Sequence, residues 1–325
     1  MKLLYPGDSK EVQDRLNDLS YDEISKQSGM TYDDSLYEWI RLYYQPQLKY
    51  EMSYNSDALY GIDQVEFNPT DLCNRKCWMC PRADPEVWPN NNQHLSIETH
   101  KKICDDLGNH QYCNSIMWSG WGEPTLNPNI LEMVAYTRDV VPLANQRMIT
   151  NGDNILKKPE FLDELISAGI TYLQIDVYDG DEQLIKFLKI IKSSKLKETI
   201  NIVLSRKYKL PGTPFGTRNG TLNPYIHKEI KPSHSPCHLL LKYAFINFDG
   251  HLIYCCHDWG LKNGRVADLS KNLLSEVWHK NPELVHSRKK LLESRHNVQG
   301  CVSCDARGGS PEPKKLKELK LKNLL

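Results

Sequence analysis

The stretch Asn68-Pro-Thr-Asp-Leu-Cys73-Asn-Arg-Lys-Cys77-Trp-Met-Cys80-Pro81 decides how this chain is organised. Its three cysteines stand four and three residues apart, directly after an alternating apolar run that is typical of a β-strand. Three thiolates on one short loop can each bind one iron of a cubane cluster, and the fourth iron then has no protein ligand. An open metal position of this kind is where a substrate or cofactor binds.

Two alternatives to a cubane cluster remain open from these residues alone, a zinc knuckle and half of a disulfide framework. Zinc sites usually pair two CxxC-type hairpins, whereas this loop carries one odd triplet. The CxxxCxxC spacing, with Met79 just before the last cysteine, resembles the signature of the radical S-adenosylmethionine (SAM) superfamily. The resemblance implies that Cys73, Cys77 and Cys80 hold a [4Fe–4S] cluster whose open iron is chelated by SAM. It also implies that reductive cleavage of SAM gives a 5′-deoxyadenosyl radical, which abstracts hydrogen from a substrate.

The composition is that of an ordinary soluble globular protein. The 325 residues allow one large domain with an appendage, or two modest domains. The 41 basic residues balance 41 acidic ones, so the bulk charge favours neither nucleic acid nor an anionic membrane. No apolar run approaches the length of a membrane span, and the first residues do not form a signal peptide. We therefore expect the ten cysteines to lie in a reducing cytoplasm, where cysteine clusters bind metal or take part in chemistry.

From Gly61 onward the sequence alternates between strand and helix patterns. The predicted strands are residues 62–68, 115–119, 146–150, 171–177 and 199–204. The predicted helices are residues 96–107, 129–138, 159–168 and 181–194. This alternation indicates an α/β fold with a parallel sheet. We expect a partial (β/α) barrel, with a doubly wound open sheet as the alternative. In either fold the loops after the carboxyl ends of the strands build the site.

The loop after the second predicted strand is Gly120-Trp-Gly122-Glu123-Pro124. It resembles the GGEP motif of the radical SAM family, although Trp121 stands where a second glycine is common. The glycines expose backbone groups and Glu123 offers a carboxylate, a combination that suits the ammonium group of SAM. The same residues would also serve an ordinary strand–helix turn.

Two further strand ends carry candidate cofactor-binding residues. Asn151, followed by Gly152, resembles the family's TNG element, which implies contact with the SAM ribose; a simple turn is the alternative. Ser205 and Arg206 follow the last predicted strand, and the planar guanidinium of an arginine can bind the SAM carboxylate. A solvated surface charge is the alternative for this arginine.

A second group of cysteines follows a long irregular stretch, residues 207–236, that is a possible cover for the substrate. Two alternating apolar runs within 243–254 are joined by Asp249-Gly250, which predicts a β-hairpin, and helices are predicted over 271–279 and 282–293. The cysteines around these elements are Cys237, Cys255, Cys256, Cys301 and Cys304.

This arrangement resembles the twitch domain of the radical SAM family, a shortened SPASM domain. The match covers Cys237, Gly250, Cys255, Cys301 and Cys304, and it implies one auxiliary [4Fe–4S] cluster held by the four cysteines among them. A structural zinc site also takes four cysteines and is the alternative. We interpret Cys256 as a spare buried thiol; an alternative ligand to Cys255 and a hydrogen-atom donor are the other interpretations.

The sequence thus predicts a helical N-terminal extension (1–60), a radical SAM core (61–206), the irregular loop (207–236), an auxiliary-cluster domain (237–310) and a lysine-rich tail (311–325). The cysteine layout resembles that of dehydrogenases of aminocyclitol antibiotic pathways. It implies oxidation of a small carbohydrate-like molecule, with the auxiliary cluster as electron acceptor and a flavodoxin or ferredoxin as electron donor. A peptide-modifying or epimerising radical SAM enzyme is the alternative within the class. Outside enzymes, the alternative is a zinc-stabilised binding module. No basic–aromatic stripe supports nucleic-acid binding.

Overall fold

The computed structural model describes residues 57–207, 218–222 and 235–306, together with Lys317 and Lys320. The predicted N-terminal extension lies outside the described residues up to residue 56, as do most of the predicted loop 207–236 and most of the tail. None of the helices in the described part is both long enough and apolar enough to span a bilayer.

Strands and helices alternate along the described residues. The strands are β1 (Gln64–Phe67), β2 (Ser115–Trp118), β3 (Asn145–Thr150), β4 (Tyr172–Val177), β5 (Asn201–Arg206), β6 (Tyr243–Ile246), β7 (His251–Ile253) and β8 (Arg265–Asp268). The α-helices are α1 (Ile97–Asn109), α2 (Ile130–Val140), α3 (Asp153–Lys157), α4 (Phe161–Ala168), α5 (Asp181–Ser193), α6 (Leu239–Lys242), α7 (Leu274–Val277) and α8 (Pro282–Glu293). Short 3₁₀ turns cover Asp57–Leu59, Pro81–Ala83, Pro124–Leu126, Lys197–Thr199, Arg295–Asn297 and Gln299–Cys301.

The chain divides into two compact units. One contains residues 1–53 and 147–212 and is described over 147–207; we call it the middle unit. Its strands β3, β4 and β5 are parallel neighbours, and β4 is buried along its whole length. Helices α3, α4 and α5 connect these strands, which is the right order of elements for parallel crossovers.

The other unit contains residues 54–146 and 213–325 and carries every cysteine of the chain; we call it the cysteine unit. Strand β1 lies between β2 and β6, and all three are parallel. Strand β7 then pairs antiparallel with β6, and β8 pairs antiparallel with β7. The carboxyl ends of the three parallel strands therefore lie at one edge of this sheet.

The apolar side chains of β1 and β2 build the core of the cysteine unit. Val65, Phe67, Ile116 and Trp118 are fully buried, and Phe67 stacks on Trp118 with ring centroids 5.1 Å apart. Each such side chain stabilises the fold by about 1.5–3 kcal/mol relative to its exposed state. Helix α1 packs over this layer, because the His100 and Phe67 rings lie edge to face with their centroids 5.2 Å apart.

Most of the predicted elements are present, with a few corrections. Helix α7 covers only Leu274–Val277 of the predicted helix 271–279, and β5 extends through Ser205 and Arg206, which we expected to follow the strand. Strand β8 and helix α3 were not predicted, because four or five residues show too little periodicity. The hairpin 243–254 is confirmed, but its first strand is also a sixth parallel strand, which the sequence pattern did not indicate.

Candidate active site

The loop that carries Cys73, Cys77 and Cys80, which we call the cysteine loop, is held by residues 90–93, just before α1. The Asp71 carboxylate accepts hydrogen bonds from the backbone N–H groups of Asn91 (2.9 Å) and Gln93 (2.8 Å). The Asn90 side chain makes hydrogen bonds to both backbone polar groups of Cys73: its Oδ1 atom accepts from the N–H at 3.0 Å, and its Nδ2 atom donates to the carbonyl at 3.1 Å. These bonds fix the direction in which the loop leaves β1 before any metal binds.

The thiols of this loop lie in a partly desolvated environment. Burial raises the pKa of Cys73 to about 11 and raises the pKa of Cys80. Arg82, itself buried, opposes both shifts through its positive charge, and its Nη2 atom has no hydrogen-bond partner within the described residues. A thiol must lose its proton to bind metal, and a buried guanidinium favours the thiolate. The loop therefore fits an anionic iron–sulfur centre.

The Gly120–Pro124 loop lies directly against the cysteine loop. A Cβ atom at Gly120, where φ is +124°, would lie 2.6 Å from the Asn68 side chain. A Cβ atom at Gly122 would lie 2.7 Å from the Leu72 carbonyl oxygen and still closer to that of Thr70. The Glu123 N–H donates to the Leu72 carbonyl at 2.7 Å. Both glycines are thus required by the close approach of two backbones, which the motif alone could not establish.

Asn68 joins three segments at the carboxyl ends of the parallel strands. Its Oδ1 atom accepts from the N–H groups of Trp121 (3.1 Å) and Gly122 (3.3 Å), and its Nδ2 atom donates to Asn247 Oδ1 at 2.9 Å. Asn68 and Asn247 are both fully buried, and Asn247 Nδ2 has no partner among the described residues. Sequence reasoning missed both residues. The available signal was a polar residue directly after a buried strand.

Glu123 is buried and held in one orientation. Its Oε1 atom accepts from the Thr125 hydroxyl at 2.7 Å and from the Thr125 N–H at 3.2 Å, which caps the 3₁₀ turn Pro124–Leu126. Its negative charge also acts on the Cys73 thiol and raises the pKa of that group. The predicted turn role is therefore present, and the same contacts keep a carboxylate beside the cysteine loop.

Trp121, the residue that departs from the family motif, connects this loop to the second cysteine group. Its ring lies 5.4 Å from that of Trp259 and 5.0 Å from that of Trp88. Its Nε1–H donates to the Cys256 carbonyl at 2.8 Å. We call Trp88, Trp121, Phe245, Phe248, Ile253 and Trp259 the aromatic cluster. Cys80 from the first cysteine group and Cys256 from the second both pack against it.

The four predicted auxiliary ligands lie close enough to act on one another. Burial raises the pKa of Cys237, Cys255, Cys301 and Cys304. Repulsion between the thiolates raises the pKa of Cys237 and Cys301 further, to about 12 at Cys301, and that of Cys255 well above its usual value. The fully buried Arg295 acts in the opposite direction and lowers the pKa of Cys237 and Cys304. Within the described ranges, no three or more His, Cys, Asp or Glu side chains converge in a way that would hold a single metal ion.

Cys104, on helix α1, lies outside both cysteine groups and is part of the packed core. This thiol is fully buried and lies 3.2 Å from His100 Nε2 and 3.3 Å from the Thr137 hydroxyl. Cys256 is partly buried against the aromatic cluster, and desolvation raises the pKa of its thiol far above the ordinary value.

The middle unit holds the other predicted cofactor-binding residues. Asn151 is buried, and its Oδ1 atom accepts from the Asp153 N–H at 2.9 Å at the start of α3. Gly152 has φ +73°, and a Cβ atom there would lie 2.5 Å from the Phe187 ring. Ser205 and Arg206 are buried at the end of β5, so Arg206 is not a solvated surface charge. The binding of SAM by Asn151, Ser205 and Arg206 stays a prediction.

The family comparisons define the class of protein. Residues 67–218 match the radical SAM superfamily, and residues 237–305 match the SPASM iron–sulfur cluster-binding domain. The chain is a radical SAM enzyme with a C-terminal SPASM-type domain. Its cofactors are SAM, a [4Fe–4S] cluster and further iron–sulfur in the C-terminal domain. This decides between the iron–sulfur and the zinc interpretations of the sequence.

Individual relatives are distant in sequence but similar in fold. The chain is 23% identical over 256 residues to the S-adenosyl-L-methionine-dependent 2-deoxy-scyllo-inosamine dehydrogenase of Niallia circulans, covering 77% of this chain and 94% of that enzyme. The crystal structure of BtrN in complex with AdoMet and 2-DOIA is similar with a TM-score of 0.61 at 22% identity, covering 76% of this chain and 94% of the other. An open conformation of BtrN gives a TM-score of 0.55 at 21% identity, covering 75% and 92%. The fold is the predicted partial barrel of the radical SAM type.

Proposed function

We propose that this enzyme dehydrogenates a small, hydroxylated, carbohydrate-like molecule. The observation that carries the proposal is the second set of four thiols. The hydrogen bond from Trp121 to the Cys256 carbonyl connects the segment that carries this set to the Gly120–Pro124 loop, which we call the motif loop. Oxidation of a carbinol to a ketone removes two electrons, and hydrogen abstraction removes only one of them with its proton. The second electron needs an acceptor, which an auxiliary cluster provides. The similarity to a 2-deoxy-scyllo-inosamine dehydrogenase supports the same substrate class.

Each thiol set then has a separate task. Cys73, Cys77 and Cys80 would hold the cluster that binds SAM, and the bound cluster and SAM would supply the radical chemistry for hydrogen abstraction. Cys237, Cys255, Cys301 and Cys304 hold the auxiliary cluster. The buried charges of Arg82 and Arg295 stabilise the thiolates of the first and the second set.

The motif loop orients SAM in this proposal. Glu123 presents a carboxylate to the SAM ammonium group, because Thr125 already holds its Oε1 atom in place. Gly120, Gly122 and Pro124 shape the backbone around it, and Met79 is buried on the cysteine loop. A small flavodoxin or ferredoxin in a reducing cytoplasm would be the electron donor.

The test is SAM cleavage by the anaerobically reconstituted protein. With dithionite, SAM and 2-deoxy-scyllo-inosamine, we expect 5′-deoxyadenosine and an oxidised product, both measured by liquid chromatography with mass spectrometry. A triple Cys73→Ala, Cys77→Ala, Cys80→Ala variant should form neither, since no thiolate remains to hold the cluster that binds SAM.

Cys113→Ala is the matched control, because Cys113 is a partly exposed thiol outside both sets. It should keep both products. If well-loaded wild-type protein forms no 5′-deoxyadenosine, or if the triple variant forms as much as the wild type, the proposed function is wrong.

A further inference from the structure

Glu66 is an acidic side chain in the middle of β1, on the face of the sheet that turns away from helix α1. Successive side chains of a strand point to opposite faces. Phe67 contacts His100 of α1, so Glu66 projects to the other face. Its register partner on β6 is Phe245, a member of the aromatic cluster. Glu66 thus shares a face with the residues that surround the motif loop.

The carboxylate of Glu66 is buried, and the part of the chain that the structure describes places no compensating cation beside it. It is 9% exposed, and no Lys or Arg among the described residues forms an ion pair with it. Its Oε1 atom accepts from the Ser119 hydroxyl at 2.5 Å, whereas its Oε2 atom has only a long contact of 3.4 Å with Gln64 Nε2. Oε2 is therefore the oxygen that is held more weakly.

Burial raises the pKa of Glu66 to about 7, although the bonds from Ser119 and Gln64 oppose the shift. Among the described residues, the Cys256 thiol interacts with Glu66, and burial keeps this thiol protonated. Glu66 is thus close to half protonated at neutral pH, where a carboxyl group accepts and releases protons most effectively. A glutamine would accept the Ser119 bond without a buried charge, so the ability to titrate is what this glutamate adds.

We propose that Glu66 contacts the carbinol group of the substrate and accepts its hydroxyl proton at Oε2. This inference rests on the proposed dehydrogenation. The carbinol C–H bond breaks when its hydrogen atom passes to the 5′-deoxyadenosyl radical. The O–H bond then breaks, with its proton passing to Glu66 and the remaining electron to an oxidised iron–sulfur cluster, and the C=O bond forms. One hydrogen atom, one proton and one electron leave the substrate, so the step balances.

The first measurement follows the proton itself rather than turnover. Infrared spectra of the reconstituted enzyme, recorded against pH, should contain a protonated-carboxyl band that titrates near pH 7. The band should be absent in Glu66→Gln and present in Glu132→Gln. Glu132 is the matched control because it is a solvent-exposed carboxylate on α2, paired with Lys101. A wild-type spectrum without this titration overturns the inference.

The second measurement is turnover with 2-deoxy-scyllo-inosamine and unsubstituted inositols as probes. Below pH 7 the wild-type rate of ketone formation should fall about tenfold per pH unit, because Glu66 is then already protonated. Glu66→Gln should lower ketone formation by about 100-fold or more and should lose this pH dependence, since general base catalysis contributes that much. It should keep 5′-deoxyadenosine formation, because the hydrogen-abstraction step does not use the carboxylate.

The outcomes distinguish this inference from the proposed function. Ketone formation by Glu66→Gln within a few-fold of the wild type, or with an unchanged pH profile, overturns the role of Glu66 alone. A wild-type enzyme that cleaves SAM but oxidises none of the probes contradicts the proposed dehydrogenation of such molecules, and the role of Glu66 with it. Circular dichroism establishes that the Glu66→Gln variant is folded before its infrared spectrum and its rate of ketone formation are interpreted.

Discussion

At the scale of single residues, the motif loop depends on the absence of a side chain at Gly122. We expect Gly122→Ala to lower the free energy of unfolding by about 1–3 kcal/mol, the usual cost of overpacking. The obstacle is the backbone of Thr70 and Leu72, which cannot rotate away as a side chain would. The SAM affinity should also fall, because the added methyl group would push the motif loop, and Glu123 with it, away from the cysteine loop. Urea denaturation and equilibrium dialysis measure the two effects.

Gly260→Ala is the control for this prediction. A Cβ atom there would meet its nearest neighbour, Lys262 Cγ, at 3.5 Å, which is an ordinary contact. This variant should keep the stability of the wild type. If Gly122→Ala and Gly260→Ala lower the free energy of unfolding equally, the close approach of the two backbones at Gly122 has no particular role in stability.

At the scale of elements, helix α1 begins immediately after the segment that supports the cysteine loop. The Ser96 hydroxyl caps its first turn by accepting from the Thr99 N–H at 3.1 Å. Ser96→Ala should therefore cost about 1 kcal/mol of unfolding free energy, as measured by urea denaturation. Ser96→Asp keeps an acceptor at the cap and should restore most of that loss. If both substitutions destabilise equally, the cap does not contribute as described.

The elements also indicate what the sequence can and cannot predict. Helix α1 and its cap were predictable, because Ser96 and the apolar stripe after it are local signals. The parallel pairing of β6 with β1 was not, because periodicity within a strand does not identify its neighbour. The same limit applies to Trp121: its departure from the motif was visible, but its hydrogen bond to the distant Cys256 was not.

At the scale of the whole molecule, the two thiol sets predict how much iron each chain holds. Two cubanes require about eight irons, against about four for the core alone. Replacing Cys237, Cys255, Cys301 and Cys304 with alanine should halve the iron measured by mass spectrometry. The variant should still form 5′-deoxyadenosine, since its first thiol set is intact. Wild-type protein with about four irons and one bound zinc would contradict the auxiliary cluster.

Circular dichroism must accompany this measurement, because loss of a closed metal site can unfold a small domain. Conversion of Cys256 to alanine gives a matched comparison within the same domain. It should retain the full iron content if this thiol is not a ligand, as the sequence predicts.

The bond between Asn68 and Asn247 has a consequence for the synthesis of the protein. The two residues are 179 positions apart in the chain. At roughly 5–20 residues per second, the ribosome makes Asn247 on the order of 10–35 s after Asn68. Throughout that interval β1 lacks its β6 neighbour and presents an open edge, the kind of surface on which nascent chains associate. The cysteine loop leaves the ribosome early, but the support beneath it is completed only when β6 has been made, so a fully supported loop becomes available for iron–sulfur insertion late in synthesis.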